Sequence, residues 1–144
     1  MSVEENKALI RRYFEFGNAR NVEAGKDCYS PVATLIYNTP PGEMSCRERF
    51  KLFAMQMSQV FPDYRYHIED IFGEGDRVAV RYTFTGTHRG ELRGFAPTGQ
   101  VVTSEGIAIY RIVDGKILES RRQSNTNDVL LQLRALSAKG QSPG

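Results

Sequence analysis

The chain has 144 residues, enough for one domain with one core. It is 40% hydrophobic and 25% charged, with 19 Lys and Arg scattered among 17 Asp and Glu, and a net charge of +2 argues against nucleic acid or a membrane surface as a partner. No apolar run is long enough to span a bilayer and the first residues lack the apolar stretch of a secretory signal, so a cytoplasmic location is the expectation. Cys28, Cys46, His67 and His88 show no metal-ligand spacing, so neither a metal nor another cofactor is expected, and the cysteines read as reduced, buried thiols.

In chain order, Ser2 followed by Glu5 forms a capping-box pattern, and Leu9, Ile10, Tyr13, Phe14 and Phe16 then recur at helical spacing. Asn21 caps a short second helix expected over 22–29, ahead of Ser30-Pro31. A short strand is expected over 33–38. Ser45 and Glu48 make a second capping box, and Phe50, Phe53, Ala54, Met57 and Val60 give the third helix one apolar stripe that ends near Phe61-Pro62.

Strands are then expected over 64–72, 77–88, 101–113 and 116–125. Val78, Val80, Tyr82 and Phe84 share one face of the second of these, and Asp114-Gly115 is a hairpin signal between the last two. Asp128 caps a closing helix through Leu136, and residues 137–144 read as a frayed tail behind a single domain of residues 1–136. Helices followed by a long antiparallel meander make an α+β domain. A curved antiparallel sheet wrapped over N-terminal helices leaves an apolar pocket between its layers, lined by alternate strand residues.

The stretches Glu5-Asn6-Lys7-Ala8-Leu9-Ile10-Arg11-Arg12-Tyr13-Phe14, Phe61-Pro62-Asp63, Gly73-Glu74-Gly75-Asp76-Arg77-Val78, Thr85-Gly86-Thr87-His88-Arg89-Gly90, Gly94-Phe95-Ala96-Pro97-Thr98-Gly99 and Tyr110-Arg111-Ile112-Val113-Asp114-Gly115-Lys116-Ile117 resemble the SnoaL-like polyketide cyclases. That family belongs to the nuclear-transport-factor-2-like superfamily, related to keto-steroid isomerases, and the resemblance runs from about Val3 to Leu133. It implies a cone-shaped α+β half-barrel, a homodimer formed through the outer face of the sheet, and a small hydrophobic organic substrate.

The resemblance also implies chemistry, position by position. Family cyclases carry an acid/base Asp on the last strand; here that place holds Arg122, and the place of a neighbouring His holds Ser120. Arginine keeps its proton near neutral pH, so the usual base is missing. Gly106 and Ala108 stand at pocket-facing positions and suggest a roomier lumen. Tyr13 lies where keto-steroid isomerases have an oxyanion-stabilising tyrosine, and their general base falls near Tyr37 or Asn38.

The candidate catalytic residues are therefore Tyr13, Asn38, Arg122 and His88. Expected at the substrate are Tyr37, Phe53, Met57, Gly106, Ala108 and Ser120, with Tyr82, Phe84 and Tyr110 either pocket wall or core. Alternation on the last strand puts Ser120, Arg122 and Ser124 on the inner face, which either lines a wet pocket or ends in solvent. The expected activity is cyclisation or isomerisation of a polyketide- or terpenoid-like carbonyl compound. The alternatives are a non-catalytic small-molecule binding protein of the same fold and an interaction module.

Overall fold

Two capping boxes start the two long helices. Each serine hydroxyl accepts the N–H three residues on and the glutamate there reaches back: Ser2 with Glu5 ahead of α1 (Val3–Asn18), and Ser45 with Glu48 ahead of α3 (Cys46–Val60). The computed structural model describes residues 2–36, 45–125 and 129–135. Between the long helices lie α2 (Val22–Lys26) and β1 (Tyr29–Ile36). After α3 come β2 (Arg65–Glu74), β3 (Arg77–Thr87), β4 (Val101–Val113), β5 (Lys116–Ser124) and a short helix α4 at 129–135. Tyr37, Asn38, Asp128, Leu136 and residues 137–144 lie outside the described residues.

The second helix is shorter than its sequence suggests. It stops at Lys26 instead of Tyr29, and β1 begins at Tyr29 instead of Ala33. Tertiary pairing decides this: Ile117 N–H donates to Cys28 O at 2.8 Å, Tyr29 pairs with Ile117, and Tyr29 is buried in the main core. Pro31 is tolerated because β1 is an edge strand whose register slips between Tyr29 and Thr34.

The sheet runs in the order β1-β5-β4-β3-β2. Strands β2 to β5 form the antiparallel meander, and β1 joins β5 in parallel. Asp114 and Gly115, at φ 52° and 75°, make the two-residue turn between β4 and β5. Register irregularities at Ile68/Asp70 and Arg111/Ile112 add to the curvature of the sheet.

The concave face carries the core. Leu9, Ile10, Tyr13 and Phe14 of α1 pack on Val78, Val80 and Tyr82 of β3, Ala108, Tyr110 and Ile112 of β4, and Ile117 of β5. Burial of each such large side chain is worth about 1.5–3 kcal/mol. A second cluster of Phe61, Tyr64, Phe84, Val102 and Leu133 fills the other end of the sheet, with Leu92 and Phe95 of the 88–100 loop packed on it.

Candidate functional site

A cavity of about 1210 Å³ lies between α3 and the inner face of the sheet, with the 88–100 loop and α4 also contributing to its lining. Its walls are largely aromatic: Tyr13 and Phe14 of α1, Phe50 and Phe53 of α3, Tyr66 of β2, Tyr82 and Phe84 of β3. The rings brace one another, with centroids 5.4 Å apart for Tyr66 and Tyr82 and 5.3 Å for Tyr66 and Phe84. Backbone clamps fix this wall. The Asn18 amide donates to Tyr66 O and accepts from Tyr66 N–H, both at 2.8 Å. Arg20 lies 3.6 Å above the Tyr64 ring and donates to Tyr64 O at 2.6 Å.

Polar groups stand among these rings. The Arg122 guanidinium lines the cavity, 5.2 Å from the Tyr82 ring, 5.8 Å from Tyr66 and 5.9 Å from Phe53. Tyr13 and Tyr29, both in the lining, share a hydrogen bond of 2.7 Å between their hydroxyls. Burial pushes the Tyr13 phenol well above its ordinary range, the neighbouring phenols of Tyr29 and Tyr110 add to the rise, and the Arg122 charge works against it. Tyr110 behaves the same way, raised first by burial and opposed by Arg122. Its buried hydroxyl lies within reach of the Arg122 side chain.

The structure brings Tyr13, Phe53, Met57, Tyr82, Phe84, Ser120 and Arg122 together around one space. Asn38 and Tyr37 lie outside the described residues. Gly106, Ala108 and Tyr110 are not in the lining. A Cβ on Gly106 would collide with the ring and hydroxyl of Tyr82, so the glycine makes room for Tyr82 and does not widen the lumen. Ala108 and Tyr110 are wholly buried in the main core behind the cavity wall.

His88 also stands apart from the lining. Its Nδ1 accepts from Thr98 N–H at 3.2 Å, its backbone pairs with Gln100 and Gly99, and the ring is wholly buried. Burial pushes its imidazole down, towards the neutral form. These bonds make it the clip of the 88–100 loop.

The lining also contains residues that are not among the candidates from the sequence: Arg49, Phe50 and Gln56 on α3, Tyr66 on β2, and Leu92 and Arg93 in the loop. The helical stripe already pointed to Phe50, and alternation from Tyr64 puts Tyr66 on the inner face, but no local pattern marks Arg93. Glu105 is the one carboxylate among the described lining residues, and it sits at the rim, paired with Arg81 at 3.3 Å. No group of three or more His, Cys, Asp or Glu able to hold a metal ion occurs among the described residues, and none of their helices is long and apolar enough to cross a membrane. Cys28 and Cys46 are free, buried thiols pushed up by burial.

The sequence model of a family described as SnoaL-like polyketide cyclase matches residues 7–133. The chain is 29% identical over 123 residues to aklanonic acid methyl ester cyclase AcmA of Streptomyces galilaeus, covering 83% of each protein. Among solved structures it is similar to AclR of Streptomyces galilaeus, a candidate hydroxylase, at 32% identity and a TM-score of 0.83, over 92% of this chain and 87% of that one. It is also similar to wild-type IdmH of Streptomyces antibioticus, a candidate polyketide cyclase, at 29% identity and a TM-score of 0.77, over 90% and 98% of the two chains.

Proposed function

The chain belongs to the SnoaL-like polyketide cyclase family, and from that premise we propose that it is a cyclase- or isomerase-type enzyme acting on a polyketide- or terpenoid-like carbonyl compound held in the aromatic cavity. The family alone does not choose the reaction, since relatives of this fold include a candidate hydroxylase. The observation that carries the reading is the convergence of Arg122 and Tyr13 on one largely apolar space. Their proximity is felt in the Tyr13 phenol, which the Arg122 charge pulls down against burial.

An intramolecular aldol closure is an isomerisation that needs no co-reactant. An α C–H bond breaks, a carbon–carbon bond forms to a second carbonyl carbon, and the proton ends on that carbonyl's oxygen. The negative charge of the enolate and alkoxide stages falls on oxygen. A guanidinium fork and a phenolic O–H held by its own neighbour are suited to that charge, and in a low-dielectric space each such donor is worth about 10²–10³ in rate. The packed rings fold a flexible substrate so that its reacting carbons meet. Among the described lining residues the one carboxylate, Glu105, sits at the rim paired with Arg81, so this reading rests on charge stabilisation by Arg122 and Tyr13. We place the protein in the cytoplasm as a homodimer.

The rim position of Glu105 equally favours a second reading, a binding protein of the same fold. One experiment separates the two. Aromatic polyketide ketones, keto-steroids and terpenoid acids are incubated with the wild type and with Arg122→Gln, and both conversion and thermal stabilisation are recorded. Conversion slowed about 100-fold by the substitution supports the enzyme. Stabilisation with no conversion of any compound supports the binding protein. Conversion at equal rates by the two proteins removes Arg122 from the chemistry.

A further inference from the structure

The cavity's charged groups are unevenly distributed. Among the described lining residues there are three arginines, Arg49, Arg93 and Arg122, and one glutamate, Glu105, which Arg81 engages at the rim. Arg122 projects from β5 among the rings, whereas Arg93 stands on the 88–100 loop.

Arg93 occupies an unusual backbone position. It and Gly94 are the central residues of a two-residue turn closed by reciprocal bonds, Leu92 N–H to Phe95 O at 3.1 Å and Phe95 N–H to Leu92 O at 2.9 Å. Their φ values are 47° and 86°. A turn with both central residues left-handed is met most cheaply by Asn-Gly, and a long side chain at the first position carries backbone strain.

The turn is also held in place. Arg89 and Gly90 N–H both donate to Val60 O, at 2.9 and 3.1 Å, His88 clips Thr98, and Leu92 and Phe95 pack on the Phe61–Tyr64–Phe84 cluster. The loop thus holds Arg93, an exposed residue that contributes to the cavity lining, at the solvent side of the cavity, in a position where arginine is the costlier choice.

We propose that Arg93 is a specificity-determining residue that receives a carboxylate of the substrate, remote from the carbonyl held by Arg122, so that the preferred substrates are free acids and not their esters. The guanidinium fork matches a carboxylate in geometry and charge and gains nothing comparable from an ester. The cavity has the volume for a multi-ring body that spans the two arginines. The inference rests on the carbonyl-binding reading above.

The test is isothermal titration of the full chain with anthraquinone-2-carboxylate and with its methyl ester, using the wild type, Arg93→Asn and Arg122→Gln. Asparagine suits the left-handed turn, so the Arg93 variant unfolds at or above the wild-type midpoint, and any lost affinity is lost recognition. The expected result is a preference of about tenfold for the acid in the wild type, abolished in Arg93→Asn with ester affinity unchanged. Arg122→Gln weakens both compounds alike, since both carry the ring carbonyls. Equal wild-type affinity for acid and ester, or an acid preference that survives Arg93→Asn, overturns the role of Arg93. An acid preference confined to the Arg93 site while Arg122→Gln changes neither affinity overturns the carbonyl-binding reading and leaves Arg93 as the acid-reading residue of a binding protein.

Discussion

The hydroxyls of Tyr13 and Tyr29 lie 2.7 Å apart at the edge of the cavity, one on the first helix and one on the edge strand of the sheet. Either hydroxyl can be the donor in this bond. Tyr13 meets Tyr29, Phe50 and Tyr110 with ring centroids 5.4–5.9 Å apart, so the orientation of its ring is set by packing.

Tyr13→Phe removes the Tyr13 hydroxyl and is expected to slow turnover of a converted ketone about 100-fold with little change in KM. Tyr29→Phe leaves Tyr13 in place but unsteadied, and about a tenfold loss is expected. Each substitution lowers stability by about 1 kcal/mol, the net worth of one hydrogen bond. Steady-state kinetics beside urea unfolding checks all three; equal rates in wild type and Tyr13→Phe would remove the phenol from the reaction.

Alkaline stability follows from the same cluster. Burial raises the phenols of Tyr13 and Tyr110 above the ordinary 10.0, so the folded state holds these protons after the unfolded chain has released them. Their contribution is complete below about pH 10 and is lost as pH climbs beyond it. The unfolding midpoint should fall above about pH 10, and fall less steeply in Tyr110→Phe. At pH 7 that variant loses only the interaction of the Tyr110 hydroxyl with Arg122, which should cost no more than about 1 kcal/mol. Thermal unfolding from pH 7 to 11 measures both.

Acid has its own group. Burial depresses the His88 imidazole below its ordinary 6.5, so the neutral form belongs to the fold, and its contribution is present above about pH 6.5 and lost as pH falls through the depressed value. Mild acid should therefore loosen the 88–100 loop first, seen as faster hydrogen exchange at Thr98 and Gly99 between pH 6.5 and 5. Unchanged exchange there would separate His88 from the loop's stability.

Gly106→Ala probes the wall. The added methyl collides with Tyr82, whose ring must swing towards the cavity. A loss of about 1–3 kcal/mol is expected from overpacking, together with weaker binding of bulky ligands than of small ones. A variant as stable and as accommodating as the wild type would show that Tyr82 yields freely.

The outer face of the sheet exposes Phe72 (67%), Ile107 (53%) and Ile109 (41%), bordered by the Arg81–Asp70–Glu105 and Arg111–Asp76–Glu119 ion pairs. We expect a second copy of the chain to cover it, giving a homodimer in solution. Light scattering on the wild type and on Ile109→Lys should give a dimer and a monomer respectively; a monomeric wild type would leave that face to another role.

Much of this organisation is legible in the residues. Ser2 and Ser45 announce their helices because a capping box is a local device, and Asp114-Gly115 announces its hairpin because both residues tolerate positive φ. Tyr29 could not be placed locally: it joins a strand only because Ile117, 88 residues away in sequence, pairs with it. Arg122 on the inner face was one of two readings of a strand polar on both sides, and only the neighbouring rings of Phe53, Tyr66 and Tyr82 distinguish a cavity from solvent. Gly106 misled for the same reason, since the space it leaves is filled by a side chain from the adjacent strand. His88 looked chemical because it can titrate, yet its hydrogen bonds close a loop.

We expect Arg122 and Tyr13 to stabilise negative charge on a ligand oxygen in the cavity. The most direct measurement uses 2-naphthol as an enolate mimic and follows its ionisation by ultraviolet absorbance, free and bound, from pH 7 to 10. Binding to the wild type should shift naphthol towards naphtholate, and Arg122→Gln should abolish the shift. Bound naphthol that stays neutral, or ionises equally in the two proteins, would contradict it.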